Sequence, residues 1–309
     1  MKNIGLKILD RLGIKRFSFA LQILNRYFIL ENQRELIKAC HKNELVLLSP
    51  RPPFREGGNV EHYYHFIFDL LLPLSRLLKR TPPGFVFMMK EFGPFTERLE
   101  QIFSGKVKIV NDQELPASTI TLPLIGMNPT VVYVKNDELN TFRQEIFEKF
   151  DIEVNTVNKA LLIERLPPSD YFKKKATYKG SGSSRRSILN HSDLYKALPS
   201  LLSDSVVIEN LQLERLSFVE QIQKFYDSKV LIAQHGAALA NAIWMQPGSI
   251  VIELGYDDKS HEHFRIISKL SEHNYFVYYV EDAHTNIDIQ HFSDWFITQP
   301  VLSNLLIRD

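Results

Sequence analysis

From residue 45 onward, short β-rich apolar runs alternate with stretches whose apolar positions recur at helical spacing. The pattern predicts strands over 45–48, 85–89, 107–110 and 119–124, and helices over 63–80, 94–104 and 137–150. After a polar stretch at 151–158 it restarts, with strands over 160–165, 206–208, 230–233, 250–254 and 275–280. Helices are predicted near 191–200, 217–228, 236–245 and 261–273. Strands alternating with helices at this spacing point to parallel sheets covered on both faces. The expectation is two α/β domains of Rossmann type, 1–155 and 156–309.

Composition narrows the function classes. With 44% hydrophobic and 24% charged residues in 309, the chain is neither disordered nor of low complexity. Thirty-seven basic against 36 acidic residues leave a net charge of +1, so no global attraction to nucleic acid is expected. The single cysteine, Cys40, fits a reducing compartment. No apolar run approaches the roughly 18–20 residues that span a bilayer, and charges from Lys7 to Arg16 interrupt a signal-peptide core. A cytoplasmic protein is expected. The first thirty residues set six basic side chains against Asp10 alone, with Ile4, Ile8, Leu12 and Phe19 near helical spacing. They read as a solvated basic arm or as a helix resting peripherally on an anionic membrane face.

Three stretches could carry chemistry. In the first, a buried strand ends at Gln234 and His235-Gly236 turns the chain straight into a helix. The free amides of such a helix start form an anion site at a sheet's carboxyl edge. Glu253 reaches the same rim, where a carboxylate could take ribose hydroxyls; a plain β-α-β unit is the alternative. The second is a basic Gly/Ser-rich loop holding Arg185 and Arg186, which reads as bidentate donors to a diphosphate or as a solvated loop. It is neither a dinucleotide fingerprint nor a phosphate-binding P-loop. In the third, His62, His65 and Asp69 fall on one helical face at i, i+3 and i+7. This stripe admits a metal site, an acid–base pair or a buried polar network. No Asp-x-Asp triplet is present to hold a metal–diphosphate.

Taken in order, these stretches resemble glycosyltransferase family 61. The resemblance rests on residues 62–73, Arg185-Arg186 through Asn190, Ser217 through Gln221, His235-Gly236-Ala237 through Asn241, and Pro247-Gly248 through Glu253. His62, Phe66 and Leu74 depart from the family's usual Asn, Trp and Arg. The resemblance implies a GT-B-like fold, with two Rossmann-type domains facing a central cleft. It also implies an inverting, metal-independent transfer of a sugar from a nucleotide-sugar donor to a glycan or lipid-linked glycan, as in bacterial capsule or lipopolysaccharide synthesis. On this reading Arg185, Arg186, Asn190, His235, Gly236, Ala237 and Asn241 hold the donor and Glu253 takes the ribose. His62 and Tyr64 lie on the acceptor side, and Asp69 or His65 is the base, with Asp69 favoured. No metal, cofactor or nucleic acid is expected. A sugar-nucleotide epimerase and a non-catalytic nucleotide- or glycan-binding subunit are the alternatives.

Overall fold

The computed structural model describes residues 33–49, 60–124, 136–153, 158–174, 182–256, 262–299 and 301. The predicted N-terminal basic helix and residues 175–181 of the basic loop lie outside them. Contacts divide the chain into two compact units, one of residues 1–61 and 65–134, the other of residues 62–64 and 135–309.

The first unit is built on a four-stranded sheet. Its strands are β1 (Val46–Ser49), β2 (Phe87–Met89), β3 (Val107–Ile109) and β4 (Ile120–Pro123), in spatial order β3-β2-β1-β4. Every pairing is parallel, with Leu47 beside Met88 and Thr121. Helix α1 (residues 33–41) precedes β1, α2 (Tyr63–Leu78) lies between β1 and β2, and α3 (Thr96–Ile102) between β2 and β3. The strand order reverses its winding between β1 and β4.

Helix α2 is not regular. It opens into a π-helical stretch at Phe66–Leu71, marked by the Leu72 amide donating to the Ile67 carbonyl five residues back. Pro73 supplies the reason. It has no N–H for the Asp69 carbonyl, and its ring crowds that same group, so the preceding turn widens. All six residues of the widened stretch are buried, and Phe66 stacks on Phe95 at 4.8 Å.

The second unit carries β5 (Lys159–Ile163), β7 (Val207–Leu211), β8 (Ser228–Gln234), β9 (Ile250–Gly255) and β10 (Asn274–Tyr279). Their spatial order is β10-β9-β8-β5-β7, all parallel. A two-residue parallel pair, β6 (Ser187–Ile188) with β11 (His284–Thr285), lies apart from this sheet. One face of the large sheet presents Leu162, Ile232 and Ile252 to α5 (His191–Ala197) and α8 (Ile289–Thr298), whose Leu194, Phe292 and Phe296 complete that core. Helices α4 (Asn136–Lys149), α6 (Phe218–Tyr226) and α7 (Glu262–Leu270) also belong to this unit. Trp244 is fully buried and ringed by Phe142, Phe147 and Phe218. Ser217 and Glu220 form a reciprocal capping box at the start of α6, which accounts for that part of the sequence pattern.

The predicted parallel α/β architecture is present, with four differences. The predicted helix over 236–245 is a 3₁₀ helix, Ala237–Trp244. Helices α1 and α8 were not anticipated. The aromatic strand β10 lies at a sheet edge rather than buried, with Tyr279 55% exposed. The predicted strand over 160–165 ends at Ile163, which frees Glu164 and Arg165 to leave the sheet.

Candidate functional site

In chain order the five strands of the second sheet are wound so that the first, β5, and the third, β8, are neighbours while the crossovers leave them in opposite directions. A parallel sheet opens a crevice at the carboxyl ends of such a strand pair. Arg165 leaves β5 there and His235-Gly236 leaves β8. The two meet, with Arg165 Nη1 donating to the His235 carbonyl at 3.1 Å and Nε to the Gly182 carbonyl at 3.3 Å. A Cβ built on Gly236 would collide with this guanidinium. Gly182, at φ 56°, is equally constrained, because a Cβ there would strike the Leu166 carbonyl.

Arg165 is the centre of a cluster of positive charge. Burial, and then the charge of Arg186, lower its pKa to about 10, with Arg185 adding to the effect. Arg185 is lowered as well, first by partial burial and then by Arg186. Arg186 is only 7% exposed; its Nε donates to the Tyr256 hydroxyl at 3.0 Å and its guanidinium lies 5.4 Å from the centre of that ring. Three guanidiniums held this close repel one another, and an anion relieves the repulsion. The first amides of the 3₁₀ helix precede its first internal bond, Leu239 N–H to the Gly236 carbonyl at 3.0 Å, so the helix start adds donors to the same edge.

His235 is held by Glu253. Its Nδ1 donates to Glu253 Oε1 at 2.6 Å, and Tyr275 donates its hydroxyl to Oε2 of the same carboxylate. Glu253 has no accessible surface. Asn241, 1% exposed, accepts from the Tyr63 hydroxyl at 2.5 Å, and Trp244 Nε1 donates to that hydroxyl at 3.1 Å. Asn190 spends both ends of its amide on the Ile287 backbone, each at 2.8 Å. Glu164, half-buried beside Arg165, accepts from Gln212 at 2.7 Å and Asn210 at 3.1 Å.

A second pair lies in the first unit. His65 Nδ1 donates to Asp69 Oδ2 at 2.6 Å, within the widened turn of α2. The histidine keeps 23% of its side chain exposed and the aspartate 6%. Asp69 Oδ1 is buried with no hydrogen-bond partner among the described residues. His62 stacks on Phe172 at 5.2 Å, and Tyr64 packs against His263 and Phe264.

The structure therefore gathers Arg185, Arg186, His235, Gly236 and Ala237 at one sheet edge, with Glu253 behind His235. Asn190 and Asn241 are drawn into supporting networks. Arg165 and Tyr256 complete the cluster although the motifs did not point to them. The available signal was position: Tyr256 directly follows β9 and Arg165 lies two residues past β5, on the edge where doubly wound sheets bind ligands. Among the described residues, no three His, Cys, Asp or Glu side chains stand together to hold a metal ion, and no helix is long and apolar enough to cross a membrane.

Comparison with known proteins follows this geometry. The family model for glycosyltransferase 61 matches residues 63–252. A xylan glycosyltransferase of Arabidopsis thaliana is 25% identical over 233 residues, 69% of this chain. A protein O-linked-mannose β-1,4-N-acetylglucosaminyltransferase 2 of Tetraodon nigroviridis is 38% identical over 74 residues, 24% of this chain. Its counterpart in Takifugu rubripes is 35% identical over the same length. The matched stretches span 46% of the plant protein and 12% of each fish protein.

Proposed function

The chain belongs to glycosyltransferase family 61, and from that premise we propose that it transfers a sugar from a nucleotide-diphosphate donor to a hydroxyl of a glycan. The observation that carries this reading is the trio Arg165, Arg185 and Arg186, with Arg165 packed against Gly236 at the switch point of a parallel sheet. The trio holds the donor diphosphate, and its charge balances the negative charge that grows on the departing nucleotide. His235, oriented by Glu253, donates to the same leaving group. Glu253 is enclosed, so the ribose passes to Glu164, the half-buried carboxylate next to Arg165. No metal is needed where fixed guanidiniums do this work.

The acceptor's proton goes to the His65–Asp69 pair. His65 is the base and Asp69 its orienting partner, the reverse of what the residue types alone favour, because the aspartate is enclosed and the histidine is not. A single displacement with inversion at the sugar follows from a base that activates the acceptor directly.

A thermal-shift panel of nucleoside diphosphates and nucleotide sugars tests the reading. A ligand at 100 times its dissociation constant adds about 2.7 kcal/mol of stability. Stabilisation by a nucleoside diphosphate, lost in Arg165→Ala, is expected; no response to any of them overturns the proposal. Incubating the stabilising nucleotide sugar without acceptor separates transfer from epimerisation, since only an epimerase alters the sugar under those conditions.

A further inference from the structure

We infer that Tyr275 is a positioning residue for His235, acting through the buried carboxylate of Glu253. The three side chains come from adjacent parts of one sheet: His235 follows β8, Glu253 lies in β9 and Tyr275 in β10. Glu253 has no accessible surface, and a buried carboxylate is tolerated only when its oxygens are paired. Here Oε1 takes the His235 Nδ1 proton at 2.6 Å and Oε2 takes the Tyr275 hydroxyl proton. The carboxylate cannot rotate without breaking one of the two bonds. Tyr275 therefore fixes which oxygen meets His235, and with it the imidazole tautomer and the ring's direction.

Tyr275 is suited to this part because it remains a donor. Burial, followed by the charge of Glu253, pushes its ionisation far above the usual tyrosine range. Arg265 on α7 opposes that push and Tyr279 on β10 reinforces it. On the His235 side, Phe264 of α7 meets the imidazole edge-on at 5.3 Å. Tyr275 also lies beyond the matched family segment, which ends at residue 252.

The sign of the effect is fixed by charge. When His235 gives up its proton, the pair goes from neutral overall to a net negative charge, and the tyrosine hydroxyl stabilises that charge. Removing the hydroxyl makes the pair hold its proton more tightly. The inference rests on the proposed function only where it touches turnover; the hydrogen-bond relay stands apart from it.

The experiment is a histidine NMR titration of full-length wild type and Tyr275→Phe, with the His235 resonance assigned by its loss in His235→Gln. Tyr275→Phe is expected to raise the proton affinity of the His235–Glu253 pair about tenfold. The kcat–pH profile should move toward alkaline pH by the same factor, with the KM for nucleotide sugar changed less than threefold. Replacing Tyr275 alone by 3-fluorotyrosine, a stronger donor of the same shape, should shift the titration the opposite way and covers the case in which the Phe variant does not fold. An unmoved His235 titration in a folded variant overturns the inference. If wild type binds no nucleotide, the transferase reading fails while the titration still decides the role of Tyr275.

Discussion

The guanidinium of Arg165 occupies the space that a side chain on Gly236 would need, pinned there by the carbonyls of His235 and Gly182. Gly236 also sits at φ 155°, a backbone conformation that side chains with a Cβ rarely adopt. Gly236→Ala therefore strains the backbone, at a cost of roughly 1–3 kcal/mol, and displaces Arg165 from the edge of the sheet. The expected result is at least a tenfold loss of nucleoside diphosphate affinity by calorimetry, accompanied by a modest fall in melting temperature. Unchanged affinity in a folded variant would remove Arg165 from the anion site.

Arg186 differs from its neighbours in being almost enclosed, bonded to and stacked on Tyr256. Arg186→Ala should weaken nucleoside diphosphate binding at least tenfold, about 1.4 kcal/mol. Arg186→Lys should restore only part of it, because an ammonium keeps the charge but neither the fork nor the stacking plane. The corresponding nucleoside, which has no phosphates, should bind all three proteins alike. A nucleoside affinity that falls in step with that of the diphosphate would assign the loss to collapse of the loop.

For the His65–Asp69 pair, His65→Ala should lower kcat by about 10²–10⁴, the usual range for a general base, with donor affinity unchanged. Asp69→Asn keeps an oxygen for the imidazole but removes the charge that stabilises its protonated form, so its kcat should fall less. Single-turnover kinetics with donor saturating gives both values. A larger loss in Asp69→Asn than in His65→Ala makes the aspartate the base instead.

Turnover should survive chelation. Fixed guanidiniums at the β5–β8 crevice take the position in which a bound cation would neutralise a diphosphate. Dialysis against EDTA is expected to leave kcat within twofold. Loss of activity that Mg²⁺ or Mn²⁺ restores would show that the arginine trio is insufficient.

Much of this architecture was legible in the hydrophobic pattern, for a reason visible in the strands. Val230, Leu231, Ile232 and Ala233 are all buried because a parallel strand is covered on both faces, so the apolar run is unbroken. Edge strand β10 misled for the same reason in reverse: its aromatic residues satisfy the pattern, but only one face finds a cover. The His65–Asp69 spacing was readable as a helical pair, and even an altered turn preserved it. Which member is enclosed was not readable, because that depends on the π-helical widening before Pro73 and on packing across the unit. Asn190 and Glu253 are held by partners, the Ile287 backbone and Tyr275, that come from 97 and 22 residues away. Residue type and local spacing carry no record of such bonds.

The far end of the 3₁₀ helix that begins at Ala237 leads to a pH prediction. His273 donates Nε2–H to the Ala242 carbonyl at 2.8 Å, and Arg143 donates to the Met245 carbonyl, so two side chains satisfy the last turn. The other ring nitrogen of His273 is buried with no hydrogen-bond partner among the described residues. A proton added there creates a buried charge near Arg143, and burial chiefly, with Arg143 as a smaller cause, lowers the His273 pKa from 6.5 to about 4. The unfolded chain binds this proton as pH falls through about 6.5, while the folded chain resists until about 4. Across that window the unfolded state holds more protons, so stability must fall as pH falls. The loss from this one group is on the order of 3 kcal/mol when complete. Above pH 6.5 it contributes no slope. His273→Gln offers an amide N–H to the same carbonyl but does not titrate. Its urea midpoint should lie below that of wild type at pH 7.5, and the gap should close or reverse by pH 4.5. A gap that stays constant between those pH values would show that His273 keeps the same protonation in the folded and unfolded chain.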